Sequence, residues 1–234
     1  MSHYPSRFVV VAVGVALAAV HGSSVHAQGG GVRADREVAR AVADFNGDGR
    51  ADVLSIRARS RRAILDTAAW CGAGAKDTGR FDAVMTLAGR PPTRTNLNDL
   101  FGGESLSFGA TFWQIVAADY NGDGRLDFNL GQYASCNGWS YSVLSVMDDG
   151  SVIKRALRPA RDIRVTDFAN STRKLAPVSG GGFRATWYDN SRGNVRTLYC
   201  WNSSAAQFVI AEEKVGDDVA ADTSPRRARQ GACR

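Results

Sequence analysis

Apolar and polar residues alternate with a period of two over many short segments of this chain, as in strands that turn one face to a core. The segment Ala185-Thr186-Trp187-Tyr188 is one example. Glycine- and aspartate-rich turns separate the segments, and Asp148-Asp149-Gly150 has the composition of a tight hairpin turn. The sequence therefore predicts an all-β protein of antiparallel strands. The predicted strands are 53–57, 63–70, 81–88, 128–133, 141–147, 151–157, 184–188, 195–201 and 207–212.

A nine-residue pattern, D-x-N-x-D-G-x-x-D, occurs at residues 44–52 and again at 119–127. Oxygen-bearing side chains at positions 1, 3, 5 and 9 suit a hard cation, and glycine at position 6 allows the chain to turn sharply. Position 7 contributes only its carbonyl, so an arginine is allowed there. The pattern predicts two calcium sites, and the alternative is a pair of plain surface turns. The predicted ligands are Asp44, Asn46, Asp48, Arg50 and Asp52, then Asp119, Asn121, Asp123, Arg125 and Asp127.

These loops differ from EF-hands, in which a glutamate at position 12 completes the calcium shell. Position 12 is Ser55 in the first copy and Leu130 in the second. The two copies also lie too far apart in sequence for a dockerin-like pair. Strand-like residues flank both copies, so we expect each loop to join two β-strands.

A third segment, 164–168, has the same apolar-Asp-aromatic character as the openings of the first two units. Its later positions carry Ala169, Ser171 and Leu175 where ligands would be needed, so we expect no calcium there. The chain is thus predicted to contain three repeat units, opening near residues 41, 116 and 164.

Phe108-Gly109, followed by Asp119, Asn121-Gly122-Asp123-Gly124 and Asp127, resembles the FG-GAP or VCBS repeat. This resemblance implies four-stranded β-propeller blades with calcium held in an inter-strand loop, as in integrin α-chain heads and secreted bacterial proteins. Three units cannot close a seven-bladed ring. We therefore expect a partial propeller of about three units, which either oligomerises or covers its exposed edges in another way.

Residues 1–27 have the character of a secretory signal peptide: a basic residue, a short apolar run and a small-x-small ending at Ala27. The run is short for a membrane span, although an uncleaved anchor is the alternative. We expect a secreted or periplasmic protein without a membrane span after cleavage. The remaining chain divides into a repeat domain, 28–215, and a mobile basic tail, 216–234.

Four cysteines follow the signal segment, and an exported protein can join them in disulfides. Three pairings are possible. A bridge between Cys71 and Cys136 is slightly preferred, and one between Cys200 and Cys233 would pin the end of the tail.

All three histidines, His3, His21 and His26, lie within the signal segment. The remaining chain therefore lacks histidine acid–base chemistry and the usual zinc sites. We expect a non-catalytic module that binds an unidentified extracellular protein or glycan, with calcium in a structural role. Aromatic residues could supply contact surfaces or could belong to the core: Trp139, Tyr141, Trp187, Tyr188, Tyr199 and Trp201.

Two other functions remain open at the level of sequence. A polysaccharide hydrolase or lyase could use carboxylates, with Glu104 and Glu212 as the residues to test. No spacing marks a catalytic pair among the four glutamates, Glu37, Glu104, Glu212 and Glu213. The arginine clusters at 57–62 and 226–229, in a chain with a net charge of +6, could instead bind an anionic polymer, and nucleic acid is not the partner that we expect.

Overall fold

The computed structural model describes residues 35–66, 74–109, 115–135, 138–158, 169–171, 175–216 and 233. The predicted signal segment, the opening at 164–168, Cys71, Cys136 and nearly all of the tail lie outside these residues. Among the described residues, no helix has the length and apolar character needed to span a bilayer.

Three five-stranded sheets make up the described part of the chain. The first has the order β1-β2-β3-β4, with β5 also paired to β3. Its elements are β1 (Arg36–Ala43), β2 (Asp52–Asp66), β3 (Gly74–Thr86), β4 (Thr93–Asn96), the short helix α1 (Leu97–Leu100) and β5 (Leu106–Gly109). The second has the order β11-β8-β7-β6, with β9 paired to β8. Its strands are β6 (Val116–Ala118), β7 (Asp127–Ser135), β8 (Gly138–Val146), β9 (Val152–Lys154) and β11 (Ala169–Ser171).

The third sheet has the order β10-β15-β14-β13-β12. Only β10 runs parallel to its neighbour, β15. The strands are β10 (Ala156–Arg158), β12 (Ala176–Pro177), β13 (Gly182–Asp189), β14 (Gly193–Asn202) and β15 (Gln207–Val215). The predicted all-β class, with about three propeller-like units of antiparallel strands, is confirmed.

Two apolar cores hold the sheets together, and the second sheet contributes to both. Alternate residues of β8 point in opposite directions. Leu144 belongs to the core shared with the first sheet, and Val143 to the core shared with the third. In the second core the ring of Phe183 contacts those of Tyr120, Tyr199 and Phe208, with centroid distances of 5.8, 4.8 and 5.1 Å.

Strand β2 corrects the sequence prediction, which placed separate strands at 53–57 and 63–70. One strand runs from Asp52 to Asp66, with a register shift between Ala58 and Ser60 that leaves Arg59 as the extra residue. Strand β3 likewise begins earlier than the predicted 81–88. The arginine-rich middle of β2 has no apolar alternation, so nothing local identified it as strand.

Ion pairs explain why that arginine run can form a strand. Along one face of the first sheet, Arg57 pairs with Asp35 at 2.8 Å, and Arg94 bridges Asp35 at 3.6 Å and Asp82 at 2.7 Å. Arg59 adds a contact of 3.2 Å to Asp82, which is 1% exposed. Acidic partners supplied by distant segments therefore neutralise these arginines, which weakens their case as a polymer-binding patch.

The segment 89–109 is rich in glycine, proline and asparagine, a composition that predicts a loop, but it is a loop only in part. It contains β4, α1 and β5. The fully buried side chain of Asn98 organises it: Oδ1 accepts the Phe81 amide at 2.8 Å, and Nδ2 donates to the carbonyls of Gly79 at 3.0 Å and Glu104 at 2.6 Å. A buried polar side chain with its hydrogen bonds satisfied can order a segment that has few apolar residues.

The predicted bridge between Cys200 and Cys233 is present. It lies against Val178 and Leu198 in a small apolar cluster. This cluster covers one face of the third sheet, while the ion pairs cover a face of the first.

Candidate metal-binding loops

The ten predicted ligand residues lie in and directly after two hairpin connections: loop 1 (44–51), between β1 and β2, and loop 2 (119–126), between β6 and β7. In loop 1 the carboxylate of Asp44 accepts three backbone N–H groups, those of Gly47 at 2.8 Å, Asp48 at 3.1 Å and Gly49 at 2.8 Å. Asp48 Oδ1 accepts the Arg50 amide at 2.8 Å. The loop is therefore wound around its own acidic side chains.

Loop 2 repeats this arrangement bond for bond. Asp119 accepts the amides of Gly122 at 2.6 Å, Asp123 at 3.1 Å and Gly124 at 2.9 Å, and Asp123 Oδ1 accepts the Arg125 amide at 2.9 Å. The predicted sharp turn at position 6 is also present, because Gly49 and Gly124 have φ values of 84° and 86°.

The asparagine at position 3 links the loop to its carboxylates in both copies. Asn46 Oδ1 accepts the Asp48 amide at 3.0 Å, and its Nδ2 donates to Asp48 Oδ2 at 3.0 Å. Asn121 makes the same two bonds to Asp123, at 3.0 and 2.8 Å.

The aspartate at position 9 has a structural role that the sequence did not reveal. Asp52 is fully buried; its Oδ2 accepts the amides of Phe45 at 2.9 Å and Asn46 at 3.4 Å, and its Oδ1 accepts the Ala88 amide at 2.8 Å. It thereby connects the start of loop 1 to the residues that directly follow β3. Such contacts depend on the sheet register, so the loop sequence alone could not predict them.

Asp127 occupies the same position in loop 2. Its Oδ2 accepts the amides of Tyr120 at 3.2 Å and Asn121 at 3.1 Å, and its Oδ1 accepts the Ser145 hydroxyl. Arg155 Nε in turn donates to Ser145 Oγ at 2.6 Å. A hydroxyl therefore connects the buried carboxylate to a guanidinium.

The aromatic residue at position 2 anchors each loop in a core. Phe45 is fully buried in the core between the first and second sheets, and Tyr120 is fully buried in the core between the second and third. The Tyr120 hydroxyl accepts from Asn129 Nδ2 at 2.6 Å and donates to the Leu175 carbonyl at 3.4 Å. Burial raises the pKa of Tyr120, so it remains a neutral donor.

Two carboxyl groups of loop 2, those of Asp119 and Asp127, have pKa values above the usual range. Burial raises the pKa of Asp119, and the nearby Asp123 carboxylate raises it further, against the lowering effect of hydrogen bonds from loop amides. Burial also raises the pKa of Asp127 to about 7, with Ser145 and Arg155 lowering it and Asp123 raising it. Carboxylates in this condition gain from any cation placed among them.

Loop 1 differs because arginines lie beside it. Hydrogen bonds from the Asn46 side chain and the Arg50 amide hold the pKa of Asp48 below its usual value, and the charges of Arg50 and Arg90 lower it further. The Arg50 guanidinium lies near Gly89, where a Cβ would be 3.2 Å from Nη2. In loop 2, by contrast, the Arg125 guanidinium forms an ion pair with Asp148, with 2.6 Å between Nη2 and Oδ1.

The donors in each loop are of the kind that calcium prefers: two carboxylates, an amide oxygen and the carbonyl at position 7. Among the residues that the structure describes, however, no three acidic, histidine or cysteine side chains converge as a ready metal centre. Asp52 and Asp127 turn instead toward backbone amides. The donor atoms are of the types that bind a hard cation, and the aspartates at positions 1 and 5 would be the charged ligands. The aspartate at position 9 mainly supports the loop through hydrogen bonds, although its carboxylate oxygens can accept further bonds.

A third hairpin connection lies beside the two loops. The third turn (178–181), between β12 and β13, has no acidic residue. Loop 1 contacts loop 2 through a hydrogen bond from Leu126 N to the Phe45 carbonyl at 3.3 Å. Loop 2 contacts the third turn, since a Cβ on Gly122 would lie 3.1 Å from Gly181 Cα. The three connections therefore stack as a column.

The aromatic residues predicted as contact surfaces divide into two groups. Tyr141, Tyr199 and Trp201 pack against the second core. Trp187 is partly buried, with the Arg192 guanidinium 5.5 Å from its ring centroid, and Tyr188 is 45% exposed. The side chain of Trp139 lies outside the described part of the chain. Trp187 and Tyr188 therefore remain the candidates for a contact surface.

The residues proposed for a hydrolase lie apart in the fold. Glu104 lies in the first sheet, between α1 and β5, whereas Glu212 lies on β15 of the third sheet, where it pairs with Lys214 at 2.8 Å. The second sheet packs against both of the others. This arrangement offers no support for the two glutamates acting as one catalytic pair.

The described residues define an all-β protein of three five-stranded sheets. The sequence matches no protein-family model and no curated protein. A solved structure, described as that of a Xanthomonas Type IV Secretion System related protein, aligns with 80% of this chain and 87% of its own at 18% identity, with a TM-score of 0.43.

Proposed function

We propose that this chain is an exported, calcium-stabilised binding protein that recognises an extracellular protein or glycan without catalysing a reaction. The observation that carries the calcium assignment is the pair of loops with the same hydrogen bonds around aspartates at positions 1 and 5. The raised pKa values of Asp119 and Asp127, caused mainly by burial, also support it, because a nearby cation favours the ionised form of both carboxyl groups. The resemblance to FG-GAP or VCBS repeats and the absence of histidine after residue 26 point the same way.

Calcium supplies positive charge to a loop whose carboxylates otherwise repel one another. In loop 1, Asp44 and Asp48, the Asn46 amide oxygen and the Arg50 carbonyl would hold the ion; in loop 2 the equivalent groups of residues 119–125 would do so. Calcium would order the two loops and so stabilise the stacked connections. Trp187 and Tyr188 lie on β13, outside these loops, and would be available to contact a ligand.

A calorimetric calcium titration of EDTA-treated protein tests this proposal, with thermal melts in parallel. We expect two sites and a melting temperature that rises with calcium, since an ion that binds only the folded state stabilises it. Asp48→Ala and Asp123→Ala should each remove one site. Asp99→Ala, which removes an exposed acid outside the loops, should remove neither. Absence of heat and of any shift at millimolar calcium would refute the assignment.

The arginines beside loop 1 lead to a second expectation: loop 2 binds calcium more tightly than loop 1. Arg50→Gln removes a positive charge that acts on Asp48 but leaves the position-7 carbonyl in place, so loop 1 should gain affinity by a few-fold, the size of an exposed charge interaction. Arg125→Gln is the matched control, because that guanidinium pairs with Asp148. Equal gains in both loops would contradict the assigned asymmetry.

A further inference from the structure

The third turn is shaped to receive the C-terminal cysteine. A Cβ on Gly180 would lie 2.2 Å from the Cys233 carbonyl oxygen, and one on Gly182 would lie 2.6 Å from Cys233 Sγ. Both distances are impossible for a side chain, so only glycine allows Cys233 to approach this closely. Cys233 is itself buried, with 7% of its surface exposed.

The same turn also packs directly against the backbone of loop 2. A Cβ on Gly181 would lie 2.6 Å from the Asn121 carbonyl oxygen. The Gly181 carbonyl accepts the Trp201 amide at 3.0 Å, which anchors the turn to β14, the strand that carries Cys200. Cys233 and loop 2 therefore contact adjacent residues of one short turn.

Two backbone hydrogen bonds hold the third turn, from Trp201 N to the Gly181 carbonyl and from Val178 N to the Gly182 carbonyl, both at 3.0 Å, but no acidic side chain lies within it. Gly180 and Gly181 both adopt positive φ, 83° and 80°, and such residues lose much conformational freedom on folding. Loops 1 and 2 are wound around aspartates, but the third turn contains only Val178, Ser179 and these two glycines. The bridge to Cys200 holds Cys233 in place across the turn.

We propose that the Cys200–Cys233 bridge fixes the third turn as a cation fixes loops 1 and 2, and that Cys233 is thereby a positioning residue for calcium in loop 2. This inference rests on the proposed calcium function. It is selective, because loop 2 contacts the third turn directly, whereas loop 1 meets loop 2 through the hydrogen bond from Leu126 N to the Phe45 carbonyl. Loss of the bridge should therefore weaken one calcium site and spare the other.

The test compares single-site proteins with and without the bridge. Asp48→Ala leaves only loop 2 competent, and Asp123→Ala leaves only loop 1. Adding Cys200→Ser and Cys233→Ser together should weaken calcium binding by about tenfold in the first background and by less than twofold in the second, a typical coupling between linked sites. Equal loss in both backgrounds, or no loss in either, would overturn the proposal.

A second pair of variants keeps both cysteines. Gly180→Ala inserts a methyl group where the Cys233 carbonyl lies, whereas Gly193→Ala, at the same φ of 83°, meets nothing within 4 Å. Only Gly180→Ala should weaken calcium binding by loop 2. If both variants behave alike, backbone strain rather than Cys233 is responsible and the proposal fails.

Hydrogen exchange separates this proposal from the calcium assignment. In calcium-free protein, loss of the bridge should speed exchange of the amides of Gly122 to Gly124 more than that of the amides of Gly47 to Gly49. If the unaltered protein binds no calcium but this difference appears, the proposed function fails while the positioning contact stands. If calcium binds and the exchange difference is absent, the positioning role fails alone.

Discussion

Phe45→Ala is expected to destabilise the protein by about 3–5 kcal/mol, the usual range for truncating a buried phenylalanine. Phe45 is fully buried between the first and second sheets. Its backbone also joins loop 1 to its surroundings, because its amide donates to Asp52 and its carbonyl accepts from Leu126. Removing the ring therefore leaves a cavity and releases the start of the loop from the core.

Thermal melts and denaturant titrations measure this effect. For a chain of this length the melting temperature should fall by roughly 6–20 °C, and calcium affinity should fall in loop 1 more than in loop 2. Val42→Ala, three residues earlier on a side chain that is 44% exposed, should cost little and serves as the control. A loss below about 1 kcal/mol would place Phe45 outside the well-packed core.

The hairpin loops were predictable because their information is local. Acidic residues at fixed spacing, a glycine at position 6 and strand-like flanks all lie within a dozen residues, and the structure places both copies between paired strands. The aromatic at position 2 was also visible as a shared feature of the openings. Its role as a core anchor follows from the burial of Phe45 and Tyr120.

Contacts between distant segments were not predictable in the same way. The loop pattern predicts that Asp52 is a metal ligand. Its hydrogen bond from the Ala88 amide, however, depends on how β2 and β3 are paired. From sequence alone the arginines of β2 suggest a charged surface. In the folded sheet, Asp35 and Asp82 lie beside them and form ion pairs with them. Pattern analysis describes periodicity and turns, whereas these roles arise from register.

The third sheet illustrates the same limit. An aspartate followed by an aromatic residue predicts a third opening at residues 164–168, which lie outside the described part of the chain. The first antiparallel hairpin of the third sheet instead turns at 178–181. Its signal is a run of three glycines, and the reason for that run is the approach of Cys233 and of loop 2. No local pattern connects those residues.

Calcium-free protein is expected to lose stability as the pH rises from about 4 to about 7, and Asp127→Asn should remove most of this dependence. Burial raises the folded-state pKa of Asp127 from 3.8 to about 7. A carboxyl whose pKa is higher in the folded state stabilises the fold fully below pH 3.8, and this contribution is lost as the pH rises through the folded-state value. The loss is on the order of 1.4 kcal/mol for each pH unit between the two values.

No histidine titration would overlap with that of Asp127 in this pH range, because residues 28–234 contain no histidine. Asparagine at position 127 can still accept the Tyr120 and Asn121 amides and can donate to Ser145 Oγ, so it tests charge with little change of shape. Melts from pH 4.5 to 8 in EDTA should slope downward for the unaltered protein and remain nearly level for the variant.

Calcium connects this slope to the proposed function. An ion in loop 2 favours the ionised form of nearby carboxylates, so saturating calcium should flatten the slope of the unaltered protein, and the stabilisation by calcium should grow with pH. Asp99→Asn, an exposed substitution of the same kind, should leave the slope in EDTA intact. A level profile for the unaltered protein in EDTA would mean that Asp127 is already compensated, and loop 2 would lose its electrostatic preference for a cation over loop 1.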